Sequence, residues 1–211
     1  MTKPTTIYQV ILDKSGSMSD SIDNSISGFN EQIHKIRSTA MEFPDQDIRI
    51  GLTVFNDHVE NLYFNRPPEQ VPFLTPENYV PSGFTALLDA IGQTCTKIEK
   101  SIDASNQAAN TTVVVVIITD GHENASTEYT LQEIRRMIER LESRGKWTFS
   151  FIGATLDAVD TAARMSIKRQ NSYSYDKEHM RTEVWDTLSG SLASYMKKKS
   201  KGEQLDNLFE D

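Results

Sequence analysis

Two hydrophobic rhythms alternate along this chain. Nearly unbroken apolar runs mark strands at Ile7–Leu12, Arg49–Phe55, Thr111–Thr119 and Trp147–Ile152. Between them, apolar positions recur three and four residues apart. Ile22, Ile26, Phe29, Ile33, Ile36 and Ala40 form one such set, and Leu87, Ile91, Cys95, Ile98 and Ile102 the next. Leu131, Ile134, Ile138 and Leu141 form a third, and Trp185, Leu188, Leu192 and Tyr195 a fourth. Each set predicts an amphipathic helix with one buried stripe. Ser19 or Asp20 is expected to cap the first helix, and Gly145 to end the third. A short helix is expected over Asp157–Met165 and a short edge strand over Gln170–Tyr175. After the turn Asn56-Asp57-His58, the run Val59–Asn65 reads as a returning antiparallel strand.

This order has architectural consequences. A continuous apolar strand such as Thr111–Thr119 suits a parallel sheet covered on both faces. Strand and helix in alternation predict an α/β fold, Rossmann-like and doubly wound. Its sheet is mainly parallel with one antiparallel edge strand, and helices cover both faces. Residues 1–201 are expected to form one domain, followed by an acidic, flexible tail over 202–211.

Candidate chemistry concentrates where three apolar runs give way to polar loops. Asp13-Lys14-Ser15-Gly16-Ser17 follows the first strand and offers one carboxylate and two hydroxyls at alternate positions of a tight turn. Oxygen-only donors with few carboxylates suit a hard cation, Mg²⁺ or Mn²⁺, that keeps part of its water. Thr85 stands at a loop-to-helix boundary, and Asp120-Gly121 ends the Thr111 strand. In doubly wound sheets, loops at the carboxyl ends of the strands share one crevice, and ligands bind there.

With these residues in view, the chain resembles the von Willebrand factor A (vWA) domain family, which is integrin I-domain-like. The resemblance runs from about Thr6 to about Lys199. It implies a six-stranded sheet carrying a metal-ion-dependent adhesion site, or MIDAS. The ligand positions of that site match Asp13, Ser15, Ser17, Thr85 and Asp120. It further implies that a partner's Asp or Glu carboxylate completes the coordination of a bound Mg²⁺ or Mn²⁺. Stand-alone bacterial and phage relatives serve as adaptors to ATPases, kinases or stress-response complexes, so a partner of that kind is expected.

Neighbouring polar residues are assigned lesser roles. Lys14 is expected to be solvated and directed away from the metal, and His122 to lie on the surface. Asp89 is expected to cap a helix or support the site from behind. Glu123 and Asn124 either line the rim or belong to an ordinary solvated loop. Cys95, the single cysteine, falls on an apolar stripe and reads as core.

Composition narrows the function classes. Lys and Arg number 22 against 30 Asp and Glu, a formal net charge of −8. That balance argues against a nucleic-acid binder, which needs a basic surface. The basic run Lys197–Lys201 reads as a complement to a helix dipole. No stretch approaches the ~20 apolar residues of a membrane span, so no membrane is expected as partner. The first residues lack the apolar centre of a signal peptide, and a lone cysteine suits a reducing compartment. A cytoplasmic location follows as an expectation.

The leading reading is an intracellular, metal-dependent protein-interaction module that is not an enzyme. A Mg²⁺-dependent phosphohydrolase is the alternative, but the second aspartate of dehalogenase-type chemistry is replaced by Ser15. Phosphate-loop and nucleophile-elbow motifs are missing too. A structural subunit with a vestigial metal site is the third reading.

Overall fold

The computed structural model describes residues 3–106, 108–154, 157–176, 179–203 and 207–209. The elements run β1 (Thr5–Asp13), α1 (Ile22–Glu42), β2 (Asp47–Phe55), β3 (Val59–Arg66), α2 (Leu87–Ser105) and β4 (Thr111–Thr119). They continue with α3 (Leu131–Glu142), β5 (Trp147–Gly153), α4 (Ala158–Arg164), β6 (Ser172–Ser174) and α5 (Thr187–Ser200). The six strands form one sheet in the order β3-β2-β1-β4-β5-β6. Every pairing is parallel except β2 with β3. The expected Rossmann-like α/β architecture is therefore present, antiparallel edge included.

The strand order reverses between β1 and β4, and chain direction makes this the switch point of the sheet. Leu12 pairs with Ile118 there, so Asp13 and Asp120 leave adjacent strands at the same end.

The two-residue period of the strands divides the core. Tyr8, Val10 and Leu12 of β1, with Val114, Val116 and Ile118 of β4, face α1 and α5. Ile7, Ile11, Val113, Val115 and Ile117 face α2, α3 and α4. All nine residues of β4 are buried, as its unbroken apolar run predicts. Cys95 is fully buried in the second layer, and burial pushes its thiol pKa up. Within that layer, Gln9 donates to Thr53, and so does Thr94. Gly51 makes room for this polar cluster: a Cβ there would fall 1.9 Å from Gln9 Oε1.

Helix boundaries depart from expectation in two places. Neither Ser19 nor Asp20 caps α1. Residues Gly16–Ser21 form a 3₁₀ turn instead, in which Ser19 Oγ donates back to Gly16 O, and α1 begins at Ile22. The last helix is preceded by a π-turn over Arg181–Asp186. The wider turn lets the consecutive residues Val184 and Trp185 both enter the core. Trp185 lies against Gly28 of α1, where a Cβ would be 2.0 Å from the indole.

Gly145, with φ of 66°, follows α3 in the left-handed conformation that ends helices. At the start of α3, Thr130 and Glu133 form a reciprocal capping box.

Two terminal features correct the sequence reading. Lys199 does not merely complement the helix dipole. Its ammonium donates to Thr5 O, Thr6 Oγ1 and Thr112 Oγ1 at 2.9, 2.6 and 2.8 Å, tying α5 to the starts of β1 and β4. Nor do residues 207–209 lie free, as a flexible tail would. Leu208 is 2% exposed within the first core layer, and its N–H donates to Asn171 Oδ1. Phe209 meets Tyr173 edge to face. Leu205, expected to share an apolar stripe with Leu208 and Phe209, lies outside the described residues.

Candidate metal centre

Asp13 ends β1 with no exposure to solvent. Its Oδ1 accepts the Ser15 N–H at 2.6 Å, and its Oδ2 accepts the Thr119 hydroxyl at 2.6 Å. Tyr79 OH donates to the Asp13 carbonyl at 2.6 Å, fixing the backbone as well. From here the hydroxyls run outward. Ser15 Oγ lies 3.1 Å from Ser17 Oγ, and Ser17 Oγ donates to Asp120 Oδ1 at 2.5 Å.

Thr85 arrives from another loop, and Gly121 reveals how near. A Cβ built on Gly121 would fall 2.9 Å from Thr85 Oγ1, 3.4 Å from Ser17 Oγ and 3.6 Å from Asp13 Oδ2. Three ligand-type oxygens from two loops thus surround one point, and Gly121, on a third loop, leaves that point open. The five residues singled out in the sequence are brought together. Asp13, Ser15, Thr85 and Asp120 are buried, while Ser17 and Gly16 are exposed, so the site opens outward past the Ser15–Ser17 turn.

The loop carrying Thr85 is held on both sides. Gly16 N–H donates to Gly83 O, and Ser82 N–H to Lys14 O. The Asn56 side chain donates to Ser82 O, and Ala86 N–H donates to Asn56 O. Gly83 has φ of 73° and crosses Asp57 so closely that a Cβ would sit 1.9 Å from Oδ1. On the other side, Asn124 brackets Thr85. Its Oδ1 accepts the Thr85 N–H at 2.8 Å, and its own N–H donates to Thr85 O at 3.0 Å.

Two further carboxylates serve as acceptors for backbone. Asp89 accepts the N–H groups of Thr127, Glu128 and Tyr129. Glu123 accepts those of Leu88, Ala125 and Ser126. Asp89 therefore supports the loop after β4 from behind, as one of its two expected roles. Glu123 belongs to a hydrogen-bonded turn, not to a solvated loop. Lys14 corrects its expectation: its ammonium pairs with Glu60 at 3.0 Å, and its side chain is only 16% exposed. His122 lies on the surface, 3.8 Å from Asp157.

Sequence reading missed Thr119, Tyr79 and Asn56, and it named Asn124 without its bond to Thr85. Thr119 alone carried a local signal, a hydroxyl at the end of an apolar strand beside Asp120. The others act across 26 to 66 residues of chain.

The electrostatics favour a cation. Burial is the main force raising the Asp13 carboxyl pKa to about 6, and the Asp120 charge adds to it; the bonds from Thr119 and Ser15 pull the other way. A buried carboxylate with a second beside it is costly unless positive charge compensates. Among the described residues, no three His, Cys, Asp or Glu side chains cluster as a metal-binding group. The donor set here is of another kind, two carboxylates with three hydroxyls. These are hard oxygen donors whose combined charge balances one divalent ion, so the residues present fit Mg²⁺ or Mn²⁺.

A doubly wound sheet with five such side chains at its switch point defines a class of α/β domain. The model of the von Willebrand factor type A domain matches residues 9–184, and the chain belongs to that family. No curated protein matches. Solved structures share the fold. The ArnB paralog VWA2 from Sulfolobus acidocaldarius is 18% identical, with a TM-score of 0.56 over 88% of this chain and 45% of that one. The PilB minor pilin from Streptococcus sanguinis is 12% identical, with a TM-score of 0.65 over 92% and 62%. Proximal thread matrix protein 1 from the mussel byssus, in a form with a zinc-occupied MIDAS motif, is 15% identical. Its TM-score is 0.53 over 85% and 46%. This chain thus matches between 45% and 62% of the length of these three proteins. Among the described residues, no helix is long and apolar enough to cross a membrane.

Proposed function

We propose that this chain is a metal-dependent protein-interaction module, cytoplasmic and without catalytic activity. Asp13, Ser15, Ser17, Thr85 and Asp120 hold Mg²⁺ or Mn²⁺ in this reading, and the partner is a protein offering an Asp or Glu side chain. The observation that carries it is the convergence of Asp13, Ser17 and Thr85 oxygens from two loops around the point left open by Gly121 of a third, with Asp120 joined to Ser17 beside it. The bound cation would supply an electrophilic position for one carboxylate oxygen. The protein's own residues do the rest. Ser15 and Thr119 hold both oxygens of Asp13, so the carboxylate keeps one orientation. Asn124 and Gly83 fix the backbone around Thr85. The zinc-occupied site named for the mussel relative supports a divalent ion at such a position.

Phe84 and Val80, 67% and 58% exposed on the loop that carries Thr85, give the mouth apolar surface of the kind that marks interaction sites. An adaptor role toward an ATPase or stress-response complex is consistent with this arrangement.

Calorimetric titration with Mg²⁺ and Mn²⁺ tests the reading. The parent should bind one ion per chain. Asp13→Ala and Asp120→Ala should abolish binding while circular dichroism shows the fold intact. Equal affinity in parent and Asp13→Ala would end the metal reading.

A further inference from the structure

A recess lies where two loops run on past the candidate metal centre. Its walls continue two of the ligand loops: Leu87 and Leu88 follow Thr85, and His122 and Glu123 follow Asp120. Leu131 and Met165 add apolar lining, and Asp157, Thr161 and Arg164 complete the wall. The volume is about 170 Å³. That is well below the ~300 Å³ at which small-molecule sites begin, and suits a single anchoring side chain. Leu131 remains 41% exposed at the start of α3, an apolar wall open to solvent.

The recess carries charge of both signs: Glu123 is taken up by the N–H groups of Leu88, Ala125 and Ser126, and Asp157 stands 3.8 Å from His122. Arg164 is exposed and makes no ion pair among the described residues. A divalent ion at Asp13 and Asp120 would demand a carboxylate on one side of the recess, and Arg164 in its wall favours another. We propose that this recess seats a large aliphatic side chain of an acidic peptide segment in a protein partner. One carboxylate of that segment is held at the metal centre and a second by Arg164. The proposal rests on the metal-dependent reading above and adds a sequence requirement to it: acid, aliphatic residue, acid. Because the recess begins two residues beyond Thr85 and two beyond Asp120, the aliphatic residue falls within a few positions of the first acid.

Fluorescein-labelled peptides test this by anisotropy in Mg²⁺. Each carries Glu, then zero, one or two Gly, then Leu-Glu-Gly; control peptides carry Ser for Leu or Gln for the second Glu. At one spacing, the Leu peptide should bind about tenfold tighter than its Ser control. Leu131→Glu should remove that advantage, so that the Leu peptide and its Ser control bind alike. Its fold should persist, because the position is part-exposed and an acid at a helix start is favoured by the dipole. Arg164→Ala should weaken the second-Glu peptides up to about fivefold and leave the Gln controls alone. If Leu and Ser peptides bind alike, or Leu131→Glu changes nothing, while chelator still abolishes binding, the recess proposal falls and the metal reading stands. If no peptide binds, the proposal falls as well, and calorimetric Mg²⁺ uptake by the same sample shows whether the metal centre falls with it.

Discussion

Asn124→Ala should weaken metal binding without dismantling the protein. The Asn124 side chain supplies the acceptor for the Thr85 N–H at 2.8 Å, and Thr85 is only 3% exposed. Truncation leaves a buried donor unmatched, a loss of about 1–3 kcal/mol. Asn124 itself is exposed, so water can follow the shortened side chain inward, and the lower end, about 1 kcal/mol, is expected. In a domain of this size that lowers Tm by roughly 2–4 °C. The effect on the metal should be larger in proportion. Partners that orient ligand residues typically contribute about 10- to 100-fold in affinity. Here about tenfold is expected, because the backbone bond from Asn124 N–H to Thr85 O survives the substitution. Urea unfolding measures the first quantity and Mg²⁺ calorimetry the second. Asn124→Asp retains an acceptor oxygen and should recover the stability. An Asn124→Ala protein with parental Mg²⁺ affinity would refute the claim that this side chain sets the position of Thr85.

Two other perturbations concern the termini. Leu208→Ala should cost about 2–4 kcal/mol in urea, because the side chain is 2% exposed in the main core layer; a loss under about 0.5 kcal/mol would show the segment to be undocked. Lys199 has its pKa lowered to about 8, first by burial and then by the Lys146 charge. Its folded value is below the unfolded one near ~10.4, so between about pH 8 and 10 the unfolded chain binds more protons and stability attributable to Lys199 rises with pH. Comparing urea midpoints of the parent and Lys199→Met across that window isolates the effect. A difference that stays flat or shrinks with rising pH would refute it.

The elements most legible in the sequence were those whose signal is local. The β4 run is buried on both faces and the three-four spacing of α1 and α3 buries one stripe of each helix, whatever the partner, so pattern alone revealed them. The Asp13-Lys14-Ser15-Gly16-Ser17 turn was legible because its donors are adjacent. Where the reading failed, distant contacts overrode local preference. The Ser19 hydroxyl prefers the carbonyl of its own 3₁₀ turn over an N-cap position. Lys199 finds its acceptors 194, 193 and 87 residues away. Leu208 looks like part of an acidic terminus until β6 and Asn171, 37 residues earlier, provide its place. Periodicity carries no information about such pairings.

The tie between Lys199 and Thr5 has a practical meaning. It gathers the start of β1 and the end of α5 at one pole, while the Asp13 loop occupies the other. A tag, surface linker or fluorophore attached near Lys3 would hold the domain by its base, with the Ser15–Ser17 mouth facing solution. Immobilised that way, the molecule would put the proposed capture of acidic partners to a direct test, with chelation as the control.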